Sequence, residues 1–434
     1  MLRIVVVGTG YVGLVSGAGL ADFGNEVLCV DVDRSKIDLL ERGEIPFYEP
    51  GLKDLVSRNV RERRLRFSTS LERATRWGEV IFTCVGTPPR RDGTADMRAV
   101  FDVAKSVAQA MPSYRLVVQK STVPVGTGDK VRAILKRHAK RRVSFDVASN
   151  PEFLREGTAV ENFMRPDRIV IGANTERARK LLRSIYAPLY LIETPTLITD
   201  VRTAELLKYA ANAFLATKIS FVNEMANLAE AVGADIRDVA KGMGLDRRIG
   251  PKFLHPGPGF GGSCLPKDTK ALRAFAKAAG VPLRVLGAVI ETNRAQGKIA
   301  TQKALAALKG RGPHVATILG LSYKPDTDDL RESPALEIIR ALLHKGIHVR
   351  AYDPAVRRGN PEVPEEVVFG ANAYDAAKGA DVLVLVTEWN EFRRLDLVKI
   401  RRTMRRRAIV DLRNVYDPET VRRLGFQYTS VGRA

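Results

Sequence analysis

The chain has 434 residues, which at about 150 residues per domain suggests two or three domains. With 45% hydrophobic and 27% charged residues, the composition excludes collagen-like, disordered and coiled-coil proteins. The excess of 70 Lys and Arg over 49 Asp and Glu, a net charge of +21, favours an acidic partner: nucleic acid, an anionic surface or a phosphorylated small molecule.

The N-terminal part alternates short β-branched apolar runs with helical patterns. Residues 3–7 predict a buried strand that ends at Gly8, a helix pattern covers residues 12–23, and residues 26–30 predict a strand that ends at Asp31. Further strands are predicted at 80–85, 115–119, 145–148 and 169–171. This alternation predicts a doubly wound parallel sheet with ligand sites at the carboxyl edge of its strands.

The middle of the chain is helical and its last third returns to the strand–helix pattern. Residues 203–231 have helical period without Pro or Gly, which is typical of a spine between domains or a dimer contact, and helical residues continue from the glycine-rich loop at 257–262 to about 308. After a predicted linker at 310–313, strands are predicted at 315–319, 348–352, 382–387 and 408–412.

The predicted fold class is α/β, with two Rossmann-like doubly wound parallel-sheet domains joined by a central helical domain that contains a long helix. The predicted boundaries are 1–198, 199–309 and 310–434. No stretch reaches the roughly 20 apolar residues that a membrane span needs, so none is predicted.

The first strand–helix turn carries a dinucleotide-binding pattern. Gly8, Gly10 and Gly13, with Tyr11 and Val12 between them, permit a tight turn and the close approach of a pyrophosphate to the helix N-terminus. Asp31 is placed to bind a ribose 2′-hydroxyl and to repel a 2′-phosphate, which favours NAD over NADP. Arg34 and Lys36 weaken that preference, although Lys36 is also a candidate contact to the adenosine end of NAD. A glycine-rich packing turn is the alternative.

One of the three cysteines lies outside the predicted core. Cys29 and Cys84 fall within predicted strands, whereas Cys264 lies in the loop and helix start Gly-Phe-Gly-Gly-Ser-Cys-Leu-Pro-Lys-Asp at 259–268. Pro266 predicts the first helical position, and the helix dipole and Lys267 favour the thiolate form of Cys264. Cys264 is a candidate nucleophile, with a half-buried structural thiol as the alternative. Three cysteines are too few for a disulfide framework, so a reducing, cytoplasmic location is predicted.

The segment 259–268 resembles the active-site signature of the UDP-glucose/GDP-mannose dehydrogenase family. The resemblance extends in order over nearly the whole chain, through Lys-Ser-Thr-Val-Pro at 120–124, Asn-Pro-Glu-Phe-Leu-Arg-Glu-Gly at 150–157, residues 205–224 and residues 323–334. Leu265, where the family often has an aromatic residue, and Tyr323, where it often has Phe, are small departures.

The resemblance implies a four-electron oxidation of UDP-glucose to UDP-glucuronate with two NAD and one water, through a thiohemiacetal and a thioester on Cys264. Further implied catalytic residues are Lys208, Asn212, Asp268, Glu152 and Thr122, with Glu152 favoured as the base for thioester hydrolysis. Lys208 and Asn212 are four residues apart and so share a helix face. Taken alone, they would be a solvated lysine and a surface amide, and Asp268 a charge at a helix N-terminus.

The resemblance also implies sets of binding residues. Implied contacts to NAD, beyond the glycine loop, are Thr87, Thr122, Glu156, Lys267 and Arg331. Implied contacts to the nucleotide sugar are Glu152, Phe153, Leu154, Arg155, Lys208, Asn212, Phe253, Leu254, His255, Pro256, Gly257, Gly261 and Lys324. Arg248 resembles an arginine that reaches the substrate of a neighbouring subunit, which implies a homodimer through the central helix.

Three alternatives remain open at this point. The same chemistry on GDP-mannose or a UDP-N-acetylhexosamine is the nearest, and an inactive nucleotide-sugar sensor is another. The third is a basic nucleic-acid-binding protein on a nucleotide fold, suggested by the arginines at 58–66 and 401–407. Because the chain shows no zinc-ligand spacing and no nucleic-acid-binding motif, we expect neither a metal site nor specific nucleic-acid binding.

Overall fold

The structure, a computed structural model, describes residues 1–140, 142–308, 310 and 313–433. Residues 311 and 312 of the predicted linker lie outside the described residues. The chain forms two compact units, one of residues 1–211 and 270–279, the other of residues 212–269 and 280–434. The division into three domains stays a prediction.

The first unit contains an eight-stranded sheet in the order β3-β2-β1-β4-β5-β6-β7-β8. Its strands are β1 Arg3–Val7, β2 Glu26–Val30, β3 Leu65–Ser68, β4 Val80–Thr83, β5 Arg115–Gln119, β6 Phe145–Ser149, β7 Ile169–Ala173 and β8 Thr196–Thr199. The first six follow the order 3-2-1-4-5-6 of a dinucleotide-binding fold. Ile4 and Val6 pack on one face of the sheet and Val5 and Val7 on the other, so β1 is buried on both faces.

One pairing in this sheet departs from the predicted parallel arrangement. β6 and β7 are antiparallel, whereas the other neighbouring strands of the sheet are parallel. The connection between them holds an irregular segment at 150–158 and a helix of only six residues, α7, about 9 Å long. Because that helix is shorter than a five-residue strand of about 16 Å, it does not return the chain to the opposite edge of the sheet.

Helices cover both faces of this sheet. They are α1 Tyr11–Asp22, α2 Arg34–Glu41, α3 Leu52–Arg61, α4 Leu71–Trp77, α5 Arg98–Ala110, α6 Thr127–His138, α7 Ala159–Met164 and α8 Glu176–Ile185, followed by a 3-10 helix at Ala187–Ile192.

The predicted long helix is α9, Val201–Val232, which has its first eleven residues in the first unit and the rest in the second. It is followed by α10 Ile236–Leu245, α11 Leu265–Ala278 and α12 Arg284–Ala306. The helical residues predicted up to about residue 308 form two helices, α11 and α12, with a break between them. Gly280, with φ of +75°, and Pro282 account for the break.

The second unit contains a six-stranded sheet in the order β11-β10-β9-β12-β13-β14, and its neighbouring strands are parallel. The strands are β9 Val315–Leu319, β10 His348–Tyr352, β11 Val368–Phe369, β12 Val382–Leu385, β13 Ala408–Asp411 and β14 Gln427–Ser430. The helices of this part are α13 Pro334–His344, α14 Ala373–Ala376, α15 Asn390–Arg393, α16 Leu397–Thr403 and α17 Pro418–Arg423. The order again is 3-2-1-4-5-6, which confirms two Rossmann-like sheets.

Among the described residues, none of the helices combines the length and the apolar character that crossing a bilayer requires.

Candidate active site

The glycine loop after β1 has no room for a side chain at Gly8 or at Gly13. Gly8 has φ of +101°, and a Cβ there would lie 2.7 Å from the carbonyl oxygen of Cys84. A Cβ on Gly13 would collide with the carbonyl oxygen of Gly8. α1 begins after Gly10 without a side-chain cap and has no acidic residue in its first turn. Its N-terminal amides, which follow at Tyr11 and Val12, thus fit the pyrophosphate of a dinucleotide.

Asp31 lies at the carboxyl end of β2, beside this loop. Its carboxylate accepts hydrogen bonds from the Thr9 N–H at 2.7 Å, the Thr9 hydroxyl at 2.8 Å and the Asp33 N–H at 3.0 Å. Burial alone would raise the pKa of Asp31, but these hydrogen bonds and the charge of Lys36 outweigh it and hold the pKa below its usual range. Lys36 itself forms a 3.9 Å ion pair with Asp33. An ionised Asp31 fits the ribose hydroxyls of NAD.

Glu152 and Lys208 form a buried ion pair within the first unit. Glu152 Oε1 lies 3.0 Å from Lys208 Nζ, and each side chain is only 6% exposed. The Leu154 N–H donates to Glu152 Oε2 at 2.6 Å. Burial would raise the pKa of Glu152, but Lys208, the Leu154 N–H and the charge of Lys120 together hold it below its usual range. Lys208 is therefore not the solvated lysine that its sequence position alone suggested.

The neighbours of this pair are Phe153, from the same segment, and Arg168, the residue just before β7. Lys208 Nζ lies 5.2 Å from the ring centre of Phe153, and the guanidinium of Arg168 lies 3.7 Å from that centre. Leu154 is half-buried and Glu156 is buried, whereas Arg155 is exposed, with its guanidinium bonded to Asn162 Oδ1 at 3.1 Å.

The predicted threonines also lie in the first unit. The buried Thr87 hydroxyl donates to the carbonyl oxygen of Thr122 at 3.0 Å, so these two predicted NAD contacts are adjacent.

In the second unit, Cys264 is the residue immediately before α11, and it is exposed. The Asp268 N–H donates to the Cys264 carbonyl oxygen at 2.9 Å, and the Ser263 hydroxyl lies 3.5 Å from the thiol sulfur. The helix starts at Leu265, one residue before the predicted Pro266. The thiol thus lies next to the positive end of a helix, as the sequence predicted.

Asp268, in the first turn of α11, bonds to the side chains of its neighbour Lys267 and of Asn212 on α9. Its Oδ1 accepts from Lys267 Nζ at 2.6 Å, and its Oδ2 accepts from Asn212 Nδ2 at 2.6 Å. Asp268 is 1% exposed and Asn212 6%. Because an amide nitrogen has two N–H groups, this bond leaves one of them for another acceptor. Asn212 is thus buried and not the surface amide of the alternative interpretation.

The loop before Cys264 is held by amides from α9 and α12. Asn223 Oδ1 accepts from the Gly257 N–H at 2.8 Å, Gln296 donates to the Gly257 carbonyl at 2.8 Å, and Asn293 bonds both backbone groups of Phe260. A Cβ on Gly261 would collide with the Glu332 carbonyl oxygen. The loop therefore packs tightly against the segment that contains Lys324 and Arg331.

The remaining predicted substrate and cofactor residues of this unit differ in their surroundings. Leu254 and Pro256 are buried and His255 is exposed, while Phe253 has a left-handed backbone with φ of +65°. Lys324 is half-buried. Arg331 pairs with Asp329 at 2.8 Å, and Arg248 pairs with Asp246 at 2.6 Å with 89% of its side chain exposed. Arg248 is thus on the surface of its own chain.

Comparison with known proteins gives matches over the full length. Residues 2–190, 202–295 and 317–418 match the NAD binding domain, central domain and UDP binding domain of the UDP-glucose/GDP-mannose dehydrogenase family. The chain is 48% identical to a UDP-glucose 6-dehydrogenase of Rhizobium meliloti (strain 1021), with 100% of both chains covered.

Two solved structures are similar as well. A UDP-glucose dehydrogenase from Pyrobaculum islandicum superimposes with a TM-score of 0.92 at 39% identity, covering 100% of this chain and 98% of that one. A UDP-D-ManNAc dehydrogenase from Pyrococcus horikoshii gives a TM-score of 0.87 at 27% identity, covering 100% and 99%.

The chain belongs to the UDP-glucose/GDP-mannose dehydrogenase family. It is an NAD-dependent oxidoreductase, and the predicted family, fold class and cofactor are confirmed. The individual site residues stay predictions, and the two groups described above, Glu152 with Lys208 and Asp268 with Asn212, show how this member of the family arranges them within each unit.

Replacing Asp31 by alanine is expected to raise the KM for NAD about tenfold or more and to relax discrimination against NADP. The reason is the loss of a charge-assisted hydrogen bond, worth about 1.5–3 kcal/mol. The KM values for NAD and NADP would be measured side by side. Asp38→Ala removes an equal charge from an exposed pair with Arg34 and serves as the control. An unchanged ratio of the two KM values would remove Asp31 from the ribose contact.

One candidate residue was missed by the sequence analysis. Arg413 follows β13 and donates to the carbonyls of Val386 at 2.8 Å and Tyr323 at 3.2 Å, and a Cβ on Gly257 would lie 3.0 Å from its guanidinium. It therefore places a cation beside two segments predicted to bind the sugar nucleotide. Its position at the carboxyl end of a predicted strand, where such folds bind ligands, was the available signal.

Proposed function

We propose that the chain oxidises the C6 alcohol of UDP-glucose twice, to UDP-glucuronate, with two NAD and one water. The observation that carries the proposal is the exposed Cys264 thiol at the start of α11, in a chain 48% identical to a named UDP-glucose 6-dehydrogenase. NAD, held by the glycine loop and Asp31, supplies the chemistry of hydride acceptance in each oxidation.

In the first oxidation the substrate hydroxyl loses its proton. In our proposal a water ordered by Lys208 takes that proton and passes it to solvent, because Lys208 Nζ, paired with the ionised Glu152 at 3.0 Å, is itself an ammonium; its charge stabilises the alkoxide that forms. The product of this step is an aldehyde at C6.

In the second oxidation the Cys264 thiolate attacks the aldehyde carbon, so that a C–S bond forms and the carbonyl oxygen becomes an alkoxide. The free N–H of Asn212, whose amide is fixed by Asp268, and the cation of Lys208 stabilise that alkoxide. Loss of a hydride from the same carbon leaves a thioester on Cys264.

Hydrolysis then releases the acid. Glu152 takes a proton from water, the water oxygen bonds to C6, and the C–S bond breaks to return the Cys264 thiolate. Glu152 is suited to this step because the ion pair with Lys208 keeps its carboxylate ionised despite burial. Thr122 and Asp268 remain the other candidates to position that water.

The charge of Lys208 should determine how far activity extends to low pH. A carboxylate with a depressed pKa stays a base until the pH falls through that pKa. In Lys208→Met the largest of the effects that oppose burial is lost and only the Leu154 N–H and the charge of Lys120 remain, so the pKa of Glu152 rises. The acid limb of log kcat against pH then moves to higher pH, in addition to a lower kcat. If Lys208→Met lowered kcat but left the acid limb at the same pH as in the unmodified enzyme, Lys208 would not be the group that keeps Glu152 ionised.

The experiment that tests the function measures NADH by absorbance with purified chain, NAD and one sugar nucleotide at a time. UDP-glucose, GDP-mannose and UDP-N-acetylhexosamines form the panel, because relatives acting on other sugars share the fold. Two NADH per UDP-glucose consumed is the expected result. Turnover of another panel member in place of UDP-glucose would mean that the chain carries out the same chemistry on a different sugar nucleotide.

We also propose a homodimer through α9. Phe214, Phe221 and Leu228 are seven residues apart and 65%, 44% and 54% exposed, a stripe with the spacing of a coiled-coil seam. A second copy of the chain would bury this stripe. The exposed Arg248 would then contact the substrate of the partner, as the family resemblance implies.

Replacing Phe221, the middle residue of the stripe, by glutamate is therefore expected to convert the dimer to a monomer with at least tenfold lower activity, because a buried unpaired charge is costly. Light scattering after gel filtration measures the mass. Leu245→Glu, a matched change at a 76% exposed residue of α10, should leave the dimer intact. A monomeric wild-type chain, or a dimeric Phe221→Glu variant, would contradict the proposed interface.

The remaining proposals concern location and charge. Cys29, Cys84 and Cys264 all lie among the described residues and form no disulfide, which supports a reducing, cytoplasmic location. Arginines of the two basic runs are paired within the chain: Arg58 with Asp22 at 2.6 Å, and Arg405 and Arg406 with Asp381. These pairs favour a structural role for the basic runs over a nucleic-acid site, and specific nucleic-acid binding stays unexpected.

A further inference from the structure

The segment 150–157, which contains Glu152, is anchored at its first residue by a buried polar group. Asn150 Oδ1 accepts from Lys120 Nζ at 3.0 Å and from the Tyr186 hydroxyl at 2.6 Å, and its amide donates to the Val170 carbonyl at 2.8 Å. Asn150 is 2% exposed. This end of the segment is thus fixed by the side chains of Lys120 and Tyr186, the residues that directly follow β5 and α8.

The other end is held by Glu49, a residue to which the family resemblance assigned no role. The Gly157 N–H lies 2.6 Å from Glu49 Oε2 and 2.8 Å from the Tyr11 hydroxyl oxygen, and the Tyr11 hydroxyl donates to the same carboxylate. Glu49 Oε1 accepts from the Ala159 N–H at 2.7 Å. The Glu49 carboxylate, 7% exposed, therefore joins the start of α1 to the end of the Glu152 segment.

Local sequence explains why this carboxylate is needed. α7 begins after Thr158, whose side chain makes no capping hydrogen bond, so the first amides of α7 depend on an acceptor from elsewhere. Gly157 has φ of +79°, a backbone conformation that exposes its N–H to the same acceptor. Glu49, three residues before α3, supplies the acceptor for both.

We propose that Glu49 is a positioning residue for the reaction: by holding Gly157 and Tyr11 together, it fixes the Glu152 segment relative to the cofactor loop. The part of this proposal that concerns catalysis rests on the proposed function. Glu49 acts indirectly in this proposal. Its carboxylate holds the backbone N–H groups of Gly157 and Ala159, which follow Glu152 in the chain. A misplacement of about 1 Å in a catalytic group can lower the rate about a hundredfold.

Glu49→Gln replaces one of the acceptor oxygens by an N–H₂ group that faces N–H donors. We expect kcat to fall about tenfold or more, while the KM for UDP-glucose changes less than threefold, since the groups that bind the sugar are retained. Tyr11→Phe removes only the hydroxyl and should lower kcat in the same direction by a smaller factor. Because both groups hold the one Gly157 N–H, the double variant should be little slower than Glu49→Gln alone.

Glu44→Gln is the matched control, since Glu44 is exposed in the same loop and pairs only on the surface with Arg42. Its kcat should equal that of the unmodified enzyme. An unchanged kcat in Glu49→Gln with a lower melting temperature would show a structural role alone and overturn the proposal. The proposal would also be overturned if the two reductions in kcat multiplied in the double variant.

Hydrogen exchange of the peptide that covers residues 150–160 tests the contact without any substrate. Exchange should be faster in Glu49→Gln and in Tyr11→Phe than in the unmodified chain and in Glu44→Gln. If the unmodified chain oxidised no sugar nucleotide, the proposed function would fail, and this measurement would still decide the contact. Equal exchange in all four proteins would overturn the positioning role independently.

Discussion

Cys264→Ser is expected to bind NAD and UDP-glucose within about twofold of the unmodified enzyme and to lose sustained NADH production, with kcat lowered at least about a thousandfold. A serine hydroxyl at this position stays protonated near neutral pH and attacks the aldehyde poorly, whereas the thiol lies at a helix N-terminus that favours the thiolate. Binding would be measured by calorimetry and turnover by NADH absorbance.

The buried cysteines provide the control for this experiment. Cys29 is 0% exposed and Cys84 is 7% exposed, and burial raises the pKa of both, to about 12 for Cys84. Cys29→Ala should therefore keep its activity, and an alkylating reagent should modify Cys264 first, with protection by UDP-glucose. Two NADH per UDP-glucose at a sustained rate in Cys264→Ser would exclude the thioester.

The strands whose bounds were predicted correctly from the sequence are inner strands of the two sheets. β1, β2, β5, β9 and β10 begin and end where the sequence placed them, and each contains buried apolar residues. The strands missed were β3, β8, β11 and β14, which form the edges of the two sheets. An edge strand has less of its surface covered, so its sequence need not be a continuous apolar run. In β8, for example, three of four residues are exposed.

The candidate site shows a similar division between local and long-range information. Residue type and local position were enough to single out Cys264, because a glycine-rich loop and a helix start are adjacent in sequence. The Glu152–Lys208 pair joins residues 56 positions apart, and Glu49 contacts a residue 108 positions away. Such contacts depend on how the elements pack, which a single sequence does not specify. The hydrogen bond from Asn212 to Asp268 likewise depends on how their helices pack.

Glu152→Gln should stop the reaction after both oxidations and before hydrolysis. Glutamine keeps an oxygen for the Leu154 N–H, so the segment should stay folded, but it cannot take a proton from water. We expect a rapid release of two NADH per active site, followed by a steady rate lowered about a hundredfold or more, the usual contribution of a general base. Stopped-flow absorbance measures the first phase.

The blocked enzyme should carry the acyl group on Cys264, visible by mass spectrometry of the intact chain and removed by hydroxylamine. Glu161→Gln, a change of equal charge at an exposed residue of α7, should show neither the burst nor the adduct. A normal steady rate in Glu152→Gln would assign the base to another residue, with Asp268 the next to test. A slow rate without an adduct would instead place Glu152 before thioester formation, where its pairing with Lys208 serves the first proton transfer.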